Sequence, residues 1–182
     1  MIIVRLKGGM GNQMFQYAFG KRIAELHEPQ LQLDLSILLD RNKGDFVYRA
    51  YDLDIFNIDP TFVIRPSVLR FIYKIKHRIV SKLINRISKG SINYIKEKHF
   101  HVMDDLIDQP TDNTVYEGWW QSEQYFEAIG NDIRKDFTFK HAIIPDSLQL
   151  LEDIQKSNSV CLNVRRTDFQ KIDALNTTNL EY

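Results

Sequence analysis

Two adjacent arginines, Arg165 and Arg166, end the short apolar run Ser159 to Val164 and are followed by Asp168. Guanidinium groups bind phosphate oxygens through paired hydrogen bonds, and a nearby carboxylate can hold one of them in orientation. The plain alternative is a surface turn closed by a local ion pair. A second candidate site lies at the start of the chain, where Gly8, Gly9 and Gly11 of GGMGNQ precede Asn12 and Gln13. A glycine loop that opens a helix presents unpaired N–H groups and partial positive charge, which suits a phosphate or the polar end of a sugar. The third candidate is the pair Trp119 and Trp120 in TVYEGWWQSEQYF. Paired tryptophans are most often core, but an aromatic face at a strand's C-terminal end also matches the apolar face of a sugar ring.

The elements that position these groups can be read from periodicity. Ile2, Ile3, Val4 and Leu6 form a strand that runs into the glycines, and Phe15, Phe19, Ile23 and Leu26 then recur at helical spacing. This is the opening of a βαβ unit. Leu31, Leu33 and Leu35 alternate with Gln32 and Asp34 in a second strand. Gly9 and Gly11 with Asp34 also suggest a dinucleotide fingerprint and hence a nicotinamide-dependent oxidoreductase, but Met14 stands where that fingerprint needs a third glycine for close helix packing. In YDLDIFNI, Leu53, Ile55 and Phe56 are expected on the core. Val115 and Tyr116 lead a strand into Gly118, and Ser122 is placed to cap a helix through Tyr125, Ile129 and Ile133. Lys140 to Pro145 reads as a linker. Beyond it, Asp146 and Gln149 open a helix that turns Leu148, Leu151 and Ile154 inward. The domains are therefore expected at 1–140 and from 146 to 182.

Composition narrows the class. With 182 residues, 43% hydrophobic and 26% charged, the chain can bury a real core, and its formal net charge of zero argues against a nucleic-acid partner. Ten Lys or Arg residues and one acid, Glu97, lie between Arg65 and Lys98. Residues 67–89 read there as an amphipathic basic helix able to touch an anionic membrane surface. His99 and His101 alternate around Phe100 and are read as polar strand positions, since no cysteine or third close histidine completes a metal set. The single cysteine, Cys161, sits in an apolar run and is expected as a reduced, buried thiol. No leader or spanning segment is evident, so the expected location is cytoplasmic, with peripheral contact at the inner face of the membrane through the basic helix.

The strings GGMGNQMFQYAFG, TVYEGWWQSEQYF and NVRRTDF, in that order, resemble landmarks of the alpha-1,2-fucosyltransferases of glycosyltransferase family 11. The resemblance implies an α/β fold: a Rossmann-like N-terminal domain on the acceptor side, then the start of a second, GDP-sugar-binding domain in a GT-B arrangement. It also implies a bacterial type, because eukaryotic members carry an N-terminal membrane anchor. The implied reaction is inverting transfer of L-fucose from GDP-fucose to the 2-hydroxyl of a terminal galactose in a glycan. Arg165 and Arg166 would meet the donor diphosphate, with Asn12 donating to that phosphate or orienting the acceptor. Gly8, Gly9, Gly11, Gln13, Asn163, Trp119 and Trp120 would contact substrate, and Asp168 and Glu117 are candidate general bases. No metal cofactor is implied, since the arginines supply the cations. Asn163 replaces a histidine common in the family, and an amide cannot become cationic. The family continues for roughly another domain beyond Tyr182, so the 182-residue form is expected to transfer little, with an inactive sugar-binding remnant as the alternative.

Overall fold

The computed structural model of the chain describes residues 1–26, 30–39, 49–63, 93–98, 101–103, 105–108, 113–141 and 147–162. The basic segment 67–89, His99, Asp104 and Asp146 lie outside the described residues, as do Asn163, Arg165, Arg166 and Asp168.

Met1–Lys140 forms one compact unit. Its strands are β1 (Ile2–Arg5), β2 (Leu31–Asp34), β3 (Thr61–Phe62), β4 (Asn93–Lys96) and β5 (Thr114–Glu117), in the spatial order β3-β2-β1-β5-β4. Every pairing is parallel, with Ile2 level with Leu31 on one side and Thr114 on the other. A parallel strand is covered on both faces, which is why β1 is an unbroken apolar run with Ile2 and Val4 fully buried. The helices are α1 (Met10–Glu25), α2 (Ser36–Leu39), α3 (Asp105–Asp108) and α4 (Gly130–Asp136). The fold is α/β, consistent with a Rossmann-like domain. The chain builds outward from β1 to β2 and β3, then resumes at the far edge and returns through β5 to β1. The crevice at such a reversal, outside the strands' C-terminal ends, is the usual ligand position in open α/β sheets.

Helix α1 meets the sheet most closely at Gly20. A side chain there would come within 2.6 Å of Val4 Cγ2 and 2.8 Å of Leu31 Cδ1. Close helix–strand packing is therefore supplied a turn and a half beyond Met14, the residue expected to oppose it. The buried face of α1 also differs from the Phe15-to-Leu26 line: Phe19 and Ile23 are buried, but so are Gln13, Gln16, Tyr17 and Gly20, while Leu26 is exposed.

Several other expectations are corrected. Leu53 and Phe56 are buried, but Ile55 is 41% exposed, because the single 3-10 turn Leu53–Ile55 points it outward. The helix expected through Tyr125, Ile129 and Ile133 breaks into two 3-10 turns, Glu123–Tyr125 and Glu127–Ile129, before α4, and each of the three apolar side chains still reaches the core. Ser122 does cap the first turn, its hydroxyl accepting from the Gln124 N–H. The strand β4 ends at Lys96, so His101 is an exposed bend residue and not a strand position.

Of the second unit, which begins at His141, α5 (Leu148–Gln155) and the residues to Leu162 are described. Leu148 and Ile154 are about half exposed rather than turned inward, and Ser147 occupies the N-cap without a side-chain bond. Ser159 to Leu162 forms no strand, and Cys161 is exposed rather than buried. An apolar run becomes a strand only where a neighbour pairs with it, and none of the described residues does so here. No helix among the described residues is long and apolar enough to cross a membrane.

Candidate functional site

The loop after β1 turns at Gly8, whose φ of +79° is a left-handed conformation that side chains resist. A side chain there would also strike the Asn12 amide and come within 3.0 Å of Trp119 Cζ3. Gly9 is the N-cap of α1, and the Nε of Arg49 lies 3.9 Å from the point a Gly9 side chain would occupy. Gly11 is exposed with open space around it.

The two glutamines of α1 build this loop from beneath. Gln13 Nε2 donates to the Gly8 carbonyl (3.0 Å) and the Ala50 carbonyl (2.8 Å), and its Oε1 accepts from the Asp52 N–H (3.0 Å). Gln16 Oε1 accepts from the Lys7 N–H (3.0 Å), while its Nε2 donates to the carbonyls of Lys7 (3.2 Å) and Gly118 (3.1 Å). Both side chains are fully buried, and both satisfy backbone groups that would otherwise be costly to leave unpaired. Both polar atoms of the Gln13 amide are thus engaged within the protein, which makes this side chain a support of the loop.

The tryptophans part company. Trp120 is fully buried and stacks on Phe19 with ring centroids 4.2 Å apart and planes at 5°. Its ring is part of the core, the plain reading of a tryptophan pair, and is enclosed by protein. Trp119 is half-buried and turns toward the glycine loop, with the Lys7 ammonium 4.4 Å from its ring centroid. Burial pushes the Lys7 pKa down from its ordinary value, against the pull of the Glu117 and Glu97 carboxylates. Next to Trp119, Gln121 Nε2 donates to Asn12 Oδ1 at 2.6 Å, joining the β5 loop to the first turn of α1. Glycine loop, Asn12, Lys7, Trp119 and Gln121 therefore share one edge of the sheet, at the C-terminal ends of β1 and β5.

Under this edge runs a line of charge that sequence reading missed. Arg5 Nε donates to Asp34 Oδ2 at 2.8 Å and its Nη1 to Glu117 Oε2 at 2.9 Å, and the Tyr94 hydroxyl donates to the same Glu117 oxygen. Ser36 adds two bonds to Asp34, from its N–H at 2.9 Å and its hydroxyl at 3.0 Å. Both Asp34 oxygens are thus engaged, which leaves the dinucleotide reading without its ribose-binding acid. The signal for this network was a charged residue ending each of three apolar strands, Arg5, Asp34 and Glu117, though their adjacency depends on a strand order that the sequence does not display.

Burial raises the Glu117 carboxyl, but the hydrogen bonds from Tyr94 and Arg5 outweigh it and hold the group below its ordinary value of 4.5. Such a carboxylate is a weak general base. Because folding lowers this pKa, its stabilisation is complete above the unfolded carboxyl's range and is lost as pH falls through the depressed value. We expect the thermal midpoint to fall as pH drops below the ordinary carboxylate range, and Glu117→Gln to flatten part of that slope. Identical pH slopes in the two proteins would remove Glu117 from the account.

Among the described residues a cleft lined by Tyr17, Lys21, Gln30, Leu33, Asp59 and Thr61 lies about two to four turns along α1 from the glycine loop, and so apart from this edge. Among the same residues no cluster of three or more His, Cys, Asp or Glu side chains is arranged to hold a metal ion.

Against this geometry, one comparison with characterised proteins is informative. The chain is 29% identical over 176 residues to an alpha-1,2-colitosyltransferase of Escherichia coli, a match that covers 96% of this chain and 58% of the relative. It thus spans somewhat over half the length of that glycosyltransferase. No protein-family model matches the chain, and no solved structure does. The aligned region takes in nearly the whole of the chain, the glycine loop and the Trp119 turn among it.

Proposed function

We propose that this chain is the N-terminal part of a GT-B glycosyltransferase that moves L-fucose from GDP-fucose to the 2-hydroxyl of a terminal galactose, with inversion. The observation that carries this reading is the similarity, across 96% of this chain and 58% of the relative, to a transferase of a related deoxysugar. The shared edge of glycine loop and Trp119 supports it as an acceptor-side surface. In this reading the unit Met1–Lys140 receives the acceptor, with Trp119 offering an apolar face and Asn12, oriented by Gln121, a hydrogen-bonding amide. Gly8, Gly9 and Gly11 allow close approach to the backbone. Arg165 and Arg166, with Asn163 beside them, belong to the donor side and stabilise the leaving diphosphate, the main electrostatic task as the sugar passes through an oxocarbenium-like state. Of the two candidate bases, Asp168 is preferred, since the hydrogen bonds from Arg5 and Tyr94 lower the basicity of Glu117. Membrane-side contact through 67–89 suits a lipid-linked acceptor.

Colitose is fucose without its 3-hydroxyl, so the donor assignment turns on one group. A site built to bind a hydroxyl rejects an analogue lacking it by roughly 10⁴-fold or more. The test supplies GDP-fucose or GDP-colitose with a β-galactoside to a form extended to the relative's length, and reads the product linkage by NMR. Fucose on the galactose 2-hydroxyl is expected, with little transfer from the 182-residue chain. Preferred transfer of colitose would replace the donor, and no transfer from either donor would overturn the enzyme reading in favour of a sugar-binding remnant.

A further inference from the structure

We infer that Glu97 is a positioning residue whose carboxylate sets the turn that delivers Trp119 to the sheet edge; the functional half of this inference rests on Trp119 being the sugar-facing ring. Glu97 immediately follows β4, and its N–H donates to the Glu117 carbonyl at 2.9 Å, which brings it level with the end of β5. From there its two oxygens divide between successive amides: Oε2 accepts from the Trp119 N–H at 2.6 Å and Oε1 from the Trp120 N–H at 3.2 Å. Successive N–H groups converging on one anion form a nest, and hydrogen bonds to an ionised acceptor are the stronger kind. Here an internal carboxylate fills the nest.

The turn needs such a hold. Trp120 has a φ of +54°, a left-handed conformation that is rare for a bulky side chain. Gly118 is required by space and not by backbone angle: a side chain there would come within 2.7 Å of Glu97 Cβ and 2.5 Å of Trp120 Cε2. The result sends two neighbouring indoles in different directions, Trp120 onto Phe19 and Trp119 under Lys7 beside Gly8. Trp120 has its own anchor in the core. Trp119 is half-buried, and its backbone is held by Glu97, so removing the carboxylate should release Trp119 first.

The chain contains two tryptophans, so each indole N–H can be followed by NMR in the 182-residue protein. In Glu97→Ala we expect the Trp119 indole and amide signals to shift and broaden while the Trp120 indole stays in place. Methyl β-galactoside binding should weaken roughly 3- to 10-fold, as in Trp119→Ala. Glu97→Gln, which keeps an oxygen acceptor, should recover part of both effects, and it carries the test if the alanine variant does not fold. Unchanged Trp119 signals in both Glu97 variants would overturn the positioning role whatever the ligand does. If those signals move but wild type and Trp119→Ala bind the galactoside equally, or neither binds it, Glu97 still sets the turn and the sugar-facing reading of Trp119 is what fails.

Discussion

Trp120→Ala is expected to destabilise the first unit by about 3–5 kcal/mol, a large fraction of the stability of an ordinary domain. The side chain is fully buried, stacks on Phe19, and meets Tyr116 and Tyr125 edge-on at centroid separations of 6.3 and 5.7 Å. Three rings would lose a common partner at once, and a cavity the size of an indole would open between α1 and the loop after β5. Its Nε1 finds no acceptor among the described residues, so Trp120→Phe should cost much less, because it removes a buried donor along with the lost area. Trp119→Ala is expected to do the reverse: a thermal midpoint close to wild type and acceptor binding weakened roughly 3- to 10-fold. Chemical denaturation of the three variants checks the contrast. Equal destabilisation at the two positions would mean that Trp119 is also core.

The second large effect concerns the donor side. In a form extended to the relative's length, Arg165→Ala and Arg166→Ala are each expected to lower transfer by about 10²- to 10³-fold, the scale of removing one preorganised group that stabilises developing charge. The thermal midpoint should hardly change if the proposed role of the pair, toward the donor and not toward the fold, holds. The prediction stands on the guanidinium chemistry of NVRRTDF and on the colinear match to a glycosyltransferase. Steady-state kinetics with GDP-fucose decide it, and near-normal turnover in both variants would remove the pair from the mechanism.

Local signals in the sequence reached the first strand, the glycine loop, α1, β2 and β5, because apolar runs and glycine spacing act over a few residues. They failed where the deciding partner was distant. The partners of Gln13, Ala50 and Asp52, lie far along the chain, and Gln16 reaches Gly118, so neither glutamine's supporting role shows in local spacing. Met14 was weighed as the close-packing position while Gly20, six residues on, performs that role against Val4 and Leu31. Trp119 and Trp120 are chemically identical neighbours, and only the left-handed turn at Trp120 decides which one is core. Glu97 was counted as the single acid in a basic stretch, when its function depends on being level with the end of β5.

The Gln16 amide grips the Lys7 peptide on both sides and the Gly118 carbonyl besides. One side chain thereby ties the exits of two neighbouring strands together, so that neither can loosen without breaking the bonds of the other, and the Lys7 amide proton should be among the slowest in the chain to exchange with solvent.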